Sequence, residues 1–434
     1  MTTTFPFRYR ILVFLFFITF ITYLDRICIS LVGVRIKSEF HLTNEQFGWV
    51  LAAFSVAYAA FEIPSGMLGD RIGQRAVLIR IILWWSFFTI LTGFTNGLYS
   101  LIAVRFLFGM GEAGAYPTSS GIISRWFPVN ETAKGASFLI AGQSAGLTIA
   151  PLIIIPIAAA YGWRAPFYVI GVMGILWVMV SIFWFRDNPS EMQNITEKEK
   201  DFIEKNRRFV AHKPNLPWKM LFKNRSLRTL VAAFFCSQWG NYFFIAWMPV
   251  YLQEGKHFSE NDVKLFTSSL FICAIGGVIS AGFLSDWLVK TKGLRFGRQF
   301  LGVLGMGLLA IAVFIAALTD NNTVVAVSLF CGGLCFFSFN GIASYSSCID
   351  MGGGRAGTVA GIMNFFGQTG AFFLAITFGK LADITTNFNA SMCVVAAILM
   401  IGSLLWLFVD SSQSLFAKQI EVHIDEEPIY PLGI

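Results

Sequence analysis

Charge is what this chain has least of. Only 13% of its 434 residues are Asp, Glu, Lys or Arg, while 56% are hydrophobic, and soluble domains carry about 25% charged residues. A water-soluble fold could not hide that much apolar side chain. Histidine is scarcer still. The four present, His41, His212, His257 and His423, map to loops or the tail, so no imidazole is expected at membrane depth and no metal site is predicted. The seven cysteines all lie in apolar runs, and Cys331 with Cys335 lacks the spacing of a metal or redox pair; they read as small packing residues. No nucleophile with a His base, metal cluster or phosphate loop occurs, so the chain is not expected to be an enzyme and no cofactor is implied.

Long apolar runs are what it does have. A hydrocarbon layer about 30 Å thick needs roughly 20 apolar residues per helix, and about twelve such runs recur along the chain. The predicted spans are 10–34, 47–68, 77–95, 98–123, 133–159, 166–186, 227–252, 264–289, 298–318, 323–349, 355–383 and 388–411. The first exceeds a signal-peptide core and lacks a small-residue cleavage site, so it is expected to be retained. This predicts an all-α polytopic membrane protein in contact with the lipid bilayer.

The formal charge of +7 does not call for nucleic acid. About two dozen Lys and Arg fall in alternate loops on one side and about six on the other, which is the positive-inside asymmetry. Arg71, Arg75, Arg125, Lys134, Lys290, Lys292, Arg295, Arg298 and the run from Arg186 to Arg228 are thereby expected to be cytoplasmic, with both termini.

One long polar stretch divides the spans six and six. The expected organisation is an N-terminal six-helix bundle (1–186), a cytoplasmic linker (187–226), a C-terminal six-helix bundle (227–411) and a cytoplasmic tail (412–434). The segments Gly66-Met-Leu-Gly-Asp70-Arg71-Ile-Gly73-Gln-Arg75 and Gly282-Phe-Leu-Ser-Asp286 follow the second span of each half. Gly66 and Gly282, and likewise Asp70 and Asp286, are 216 residues apart, as a duplicated unit would place them. Gly66 and Gly73 would permit a tight turn, and Asp70 could cap the next helix or pair with a cation.

Few ionisable residues lie at membrane depth. A charge there costs about 2.5–3.5 kcal/mol and marks function by default, which singles out Asp25, Arg26, Arg105 and Glu112. Arg105 and Glu112, seven residues apart, share a helix face two turns long. The alternative is that the four only neutralise one another as structural ion pairs. Glu62 lies near the end of its span and reads as a snorkelling or gating residue. The second half offers neutral hydrogen-bonding groups instead, among them Gln238, Tyr242, Asn340, Tyr345, Asn364 and Gln368, each a candidate for ligand contact or for helix packing.

The segment from Gly66 to Arg75 fits the signature loop of the major facilitator superfamily, G-x-x-x-D-R-x-G-x-R, at every defined position. Tyr23-Leu-Asp25-Arg26, Arg105-Phe-Leu-Phe-Gly109-Met-Gly-Glu112-Ala-Gly-Ala-Tyr-Pro117, Arg125-Trp-Phe-Pro128, Gly162-Trp-Arg164, Trp247-Met-Pro249 and Ala356-Gly357-Thr358-Val-Ala-Gly361-Ile-Met-Asn364 resemble the anion:cation symporter family of that superfamily over nearly the whole chain. The resemblance implies twelve transmembrane helices in two pseudo-symmetric six-helix bundles, in a monomer of a bacterial plasma (inner) membrane. It implies uptake of an organic anion such as a hexonate, hexarate or hexuronate, together with a proton or alternatively sodium. Arg105 would contact the anionic group, with Tyr23, Arg26, Tyr58, Gln143 and Asn364 completing the substrate site. Asp25 and Glu112 would be proton sites, and Gly66, Asp70, Arg71, Gly73 and Arg75 the conformational signature loop. The chain departs from sugar-acid members near Tyr345 and Ser346, which leaves the particular anion open. A major facilitator exporter or antiporter of small organic compounds is the alternative. A receptor is disfavoured because the tail after Asp410 is too short for an output domain.

Overall fold

The structure is a computed structural model and describes residues 6–128, 131–192, 195–206, 224–352, 356–413 and 415; the side chains at 63, 66, 70, 132, 133, 136 and 356–358 fall outside that description. Helices account for every predicted span. The first is α1 (Phe7–Leu31), extended by a short α2 (Gly33–Phe40); α3 (Asn44–Ile72), α4 (Gln74–Thr92), α5 (Leu98–Glu112), α6 (Ala115–Trp126), α7 (Thr132–Tyr161) and α8 (Ala165–Phe183) follow. A polar helix, α9 (Glu197–Asn206), lies in the linker. The second set is α10 (Arg225–Tyr242), α11 (Glu260–Lys292), α12 (Leu294–Leu318), α13 (Asn322–Gly352), α14 (Ala356–Thr385) and α15 (Asn389–Trp406). Among the described residues ten helical stretches are long and apolar enough to cross a membrane, and the spans expected at 47–68 and 227–252 fall in α3 and in α10 with its continuation.

Two spans are less regular than expected. The span predicted at 98–123 is broken at Ala113 and Gly114, between α5 and α6. Gly111 and Gly114 weaken the helix here, and Pro117 has no N–H to return to the carbonyl of Ala113. After α10 the chain runs through π turns at Phe243–Trp247 and Tyr251–Gly255, around Pro249. The missing Pro249 donor frees the Ile245 carbonyl, the circumstance in which a wider turn is tolerated.

The internal repeat reaches further than the motif. His41 and His257, 216 residues apart, both adopt left-handed backbone, with φ of 52° and 57°. At the same separation Thr43 and Ser259 each open a capping box, with Gln46 and with Asp262. The linkers after α3 and α11 are each a single left-handed glycine, Gly73 (φ 96°) and Gly293 (φ 88°).

The motif at Gly66 to Arg75 is therefore mostly helix: α3 continues to Ile72, and only Gly73 turns the chain. A side chain from the end of the sixth span caps the start of α4. Asp187 accepts the backbone N–H of Arg75 at 2.7 Å, and its Oδ1 lies 3.7 Å from Nη1 of Arg125, so it ties the start of α4 to the end of α6. The side chains of Gly66 and Asp70 lie outside the described residues. Arg75 itself donates from Nη2 to the carbonyl of Ile182 at 2.6 Å.

The helices pack in the same pairs in each half, α1 on α7 and α3 on α5 in the first, α10 on α14 and α11 on α13 in the second; α3 on α14 and α7 on α11 join the halves. The joint is tightest at the end opposite the N-terminus. A Cβ on Gly48 would lie 2.4 Å from the carbonyl oxygen of Ala375, and one on Gly379 would lie 2.2 Å from that of Asn44. Lys37 pairs with Glu254, Arg35 with Glu260 at 2.8 Å, and Asp383 accepts from Asn44 and Glu45. Among the described residues every ion pair between the first and last six spans lies at this end, which is closed.

Of the cysteines, Cys28, Cys236 and Cys348 are buried as expected, but Cys273 and Cys331 are exposed. They sit on α11 and α13, whose outer faces also expose Ile272, Ile279 and Val327. A lipid-facing surface carries apolar residues as readily as a core, so apolarity alone did not require burial.

Candidate functional site

The four charges predicted at membrane depth meet at the centre of the first six spans, but not in the pairs that their order along the chain suggests. Asp25 and Arg26 are neighbours on α1, and one step of a helix turns a side chain by about 100°. Asp25 is 1% exposed and accepts a hydrogen bond at Oδ2 from the Thr89 hydroxyl of α4. Arg26 turns the other way and pairs through Nε with Oε1 of Glu112, the last residue of α5.

Arg105 and Glu112 do share a face. Leu101, Arg105, Phe108 and Glu112 are all buried on α5, following its three- and four-residue spacing. Gly109 lets this helix approach α3 to backbone contact, since a Cβ there would lie 2.5 Å from the Phe54 carbonyl oxygen. That approach brings the Phe54 ring within reach of both guanidinium groups. Its centroid is 5.2 Å from Cζ of Arg26 and 5.3 Å from Cζ of Arg105. Arg26 also lies over Tyr23 at 4.9 Å and Tyr58 at 4.7 Å, and Arg105 over Phe108 at 4.6 Å.

Arg105 is the exceptional member. It is 3% exposed, forms no ion pair among the described residues, and its Nε has no hydrogen-bond partner. An arginine stays charged at any physiological pH, and rings supply only part of what water would. The site thus holds a buried cation that no carboxylate meets at ion-pair distance among the described residues, although the charges of Asp25 and Glu112 act on it.

The neutral residues join this centre through tyrosines. Tyr116 of α6 donates to Oε1 of Gln143 at 2.8 Å, Tyr345 of α13 donates to Oδ1 of Asn364 at 3.2 Å, and Tyr242 donates to Oε1 of Gln368 at 3.2 Å. Tyr242 lies where the charges of Arg26 and Glu112 act on it, and Tyr345 within reach of Tyr23 and Glu62, so α10 and α13 face the charged cluster. Glu62 is buried on α3, one turn beyond Tyr58, and shares the electrostatic environment of Arg26. Tyr23, Asp25, Arg26, Tyr58, Arg105 and Glu112 are thus brought into one cluster, with Gln143 and Asn364 adjoining it. Sequence reasoning missed Phe54, Thr89 and Tyr116 as working parts. Among the described residues no group of His, Cys, Asp and Glu is placed to hold a metal ion.

Comparison with known proteins places this arrangement. A model of the Major Facilitator Superfamily matches residues 15–375. A probable sulfoacetate transporter of Cupriavidus necator is 33% identical over 408 residues, covering 93% of this chain and 94% of that protein. A D-galactonate transporter of Escherichia coli is 30% identical over 418 residues, covering 93% and 95%. Among solved structures, a bacterial homologue of the human lysosomal transporter Spinster, inward-facing and unoccupied, has a TM-score of 0.73 at 18% identity over 94% of this chain and 97% of that one. A D-xylose–proton symporter has a TM-score of 0.73 at 17% identity, over 93% and 98%.

Proposed function

The chain belongs to the Major Facilitator Superfamily, and on that premise we propose that it is a secondary active transporter of a small organic anion, working by alternating access. The observation that carries this reading is Arg105, a buried guanidinium without an ion-pair partner among the described residues. The relatives named for sulfoacetate and D-galactonate support the class, since both compounds are small organic anions. Tyr23, Arg26, Tyr58, Gln143 and Asn364 complete the substrate site.

In this mechanism Asp25 and Glu112 carry the co-transported proton. With Glu112 ionised, Arg26 is neutralised by it; protonation of Glu112 releases Arg26 to join Arg105 in attracting the anion. Two unit charges about 4 Å apart interact by about 4 kcal/mol at an effective dielectric of 20, enough to couple protonation to affinity more than a hundredfold. Proton and anion then enter together. The two six-helix bundles, 1–186 and 227–411, rock about the site, and the contacts of Lys37, Arg35 and Asp383 seal one end while the other is open. The signature segment with Arg71, Gly73 and Arg75 lies at the opposite end, at the junction of α3 and α4. We assign that end to the cytoplasm of a bacterial inner membrane, with both termini, and read the transporter as a monomer.

The test is uptake into liposomes with and without an inward proton gradient. Glu112→Gln is expected to keep anion exchange and lose proton-driven accumulation, and Arg105→Ala to lose both. Uphill uptake by Glu112→Gln would remove Glu112 from the coupling role.

A further inference from the structure

The first helix of each bundle starts among basic residues, and the two halves treat that start differently. In the first half Glu199 of α9 accepts the backbone N–H groups of Phe7 and Arg8 at 2.8 and 3.1 Å, and a third hydrogen bond from Nη1 of Arg8 at 3.1 Å. Arg8 also pairs at 2.8 Å with Glu131, the residue before α7, and lies over the Phe202 ring of α9 at 5.2 Å. Phe7 stacks on Trp184 at the end of α8. A carboxylate and a ring from the linker thus cover the corner where α1, α7 and α8 meet.

The second half has the same corner, formed by α10, α14 and α15, without that cover. The start of α10 at Arg225 falls two residues past the position 216 residues after Phe7. Here the cap is local, Asn224 accepting the N–H of Leu227 at 3.0 Å. Arg225 and Arg228, one turn apart, are exposed, and among the described residues neither forms an ion pair. Arg225 lies over the Phe408 ring at 5.9 Å, and Asp410, two residues beyond that ring, is engaged by Arg295 at 3.8 Å.

A groove of about 370 Å³ begins at Arg228, its one charged lining residue. Val231, Ala232 and Phe235 of α10, Phe366 of α14 and Leu405 of α15 form its walls. From Arg228 to Phe235 is two turns, about 10 Å towards the membrane interior. Leu404 and Leu407, to either side of Leu405 on α15, are exposed as a lipid-facing surface would have them.

We propose that this groove holds one anionic phospholipid, its phosphate on Arg225 and Arg228 and an acyl chain along Val231 and Phe235. Unpaired arginines at the membrane surface attract anionic headgroups, and a guanidinium matches phosphate oxygens two at a time. A zwitterionic choline headgroup would set its ammonium group against the same two cations. The lipid phosphate takes, in the second half, the part that the Glu199 carboxylate takes in the first, and its chain fills the space between three helices.

The experiment is native mass spectrometry of the full chain in detergent, titrated with phosphatidylglycerol or with phosphatidylcholine of the same acyl chains. Phosphatidylglycerol is expected to bind at least about tenfold more tightly. Arg228→Gln should weaken it about fivefold, and Arg225→Gln with Arg228→Gln about 25-fold, with phosphatidylcholine unchanged in both. Ala232→Phe, which fills the groove, should weaken both lipids, and Lys134→Gln, an exposed cation of the first half, should alter neither. Equal binding of the two lipids would overturn the headgroup assignment, and a loss in Lys134→Gln as large as in Arg228→Gln would replace the site by diffuse charge attraction. The sequence after Leu415 carries Glu426 and Glu427. If changing both to Gln raised phosphatidylglycerol binding about tenfold, the acidic tail would be the occupant and the lipid reading would fall. Anion uptake plays no part in this readout, so its outcome leaves the transport reading untouched.

Discussion

The carboxylate of Asp383, in the last turn of α14, accepts the backbone N–H of Glu45 at 2.7 Å, so a helix of the last six spans caps the N-terminus of one from the first six. The same carboxylate takes the N–H and the side-chain amide of Asn44 at 3.0 and 2.9 Å. A helix N-terminus presents unpaired donors and a partial positive charge, so this contact is a cap that exists only when the two halves meet.

A latch of this kind sets the balance between the two open states. Loss of a capping side chain costs about 1 kcal/mol, equivalent to about a fivefold change in population. Asp383→Ala is expected to shift the protein towards opening at this end, read as a longer distance between spin labels at the exposed His41 and Asn387. Gly48→Leu acts more severely, because a Cβ already lies 2.4 Å from the Ala375 backbone. It should hold the end open and abolish transport while leaving the helix content intact; normal turnover in Gly48→Leu would remove this contact from the cycle.

Thr89 bears on the proton step. Its hydroxyl is the one hydrogen-bond partner of Asp25 among the described residues, and Oδ1 of Asp25 has none. Thr89→Val keeps the shape and removes the donor, which leaves a buried carboxylate without any bond and costs about 1–3 kcal/mol. Proton-driven uptake is expected to fall at least about fivefold and its pH profile to move, and Thr89→Ser to restore both. An unchanged profile in Thr89→Val would show that Asp25 does not exchange protons in the cycle.

Asp25, Arg26, Arg105 and Glu112 were legible in the sequence because a charge in an apolar run is rare and needs a reason. Their partners were not. Thr89 is one hydroxyl among many in spans, and Phe54 one of 46 phenylalanines; only the approach of α5 to α3 at Gly109 gives Phe54 its position. The repeat was visible through Gly66 and Gly282 and hidden at Thr43 and Ser259, which are equivalent as helix caps and different as letters. The part of Asp187 at the start of α4 was hidden for a related reason. Asp70 is near in sequence, whereas Asp187 arrives from the end of the sixth span, a proximity that no spacing announces.

Outside the spans, Glu39 gives a pH dependence of known sign. Hydrogen bonds from Arg164 and from the Trp163 ring N–H, each 2.6 Å, hold its carboxyl below the usual carboxylate range. A lowered folded-state value contributes stability that is present above about pH 4.3 and lost as pH falls through the folded value. The pair is open to solvent, with 44% and 32% of the side chains exposed, so its worth is about 0.2–1 kcal/mol. Glu39→Gln is expected to lower the melting temperature slightly at pH 7 and to melt with the unaltered protein near pH 3; an equal difference at both pH values would contradict the assignment.

Phe54 joins the two cations, and its replacement separates attraction by the ring from simple packing. A ring near a desolvated guanidinium contributes about 0.5–2 kcal/mol, and Phe54 serves both Arg26 and Arg105. Phe54→Leu retains an apolar side chain but removes the π face from each. Arg26 keeps Tyr23, Tyr58 and its ion pair with Glu112, whereas among the described residues Phe108 is the one ring left over Arg105. The loss therefore falls on the cation that forms no ion pair among the described residues. A bound anion would then matter more to Arg105, so Phe54→Leu should gain a larger rise in melting temperature from saturating substrate than the unaltered protein does, although its ligand-free melting temperature is lower. Phe54→Tyr, which keeps the π face, should show neither change. If Phe54→Leu and the unaltered protein gained equally from substrate, the ring would be a packing residue and Arg105 would be stabilised by something other than its aromatic neighbours.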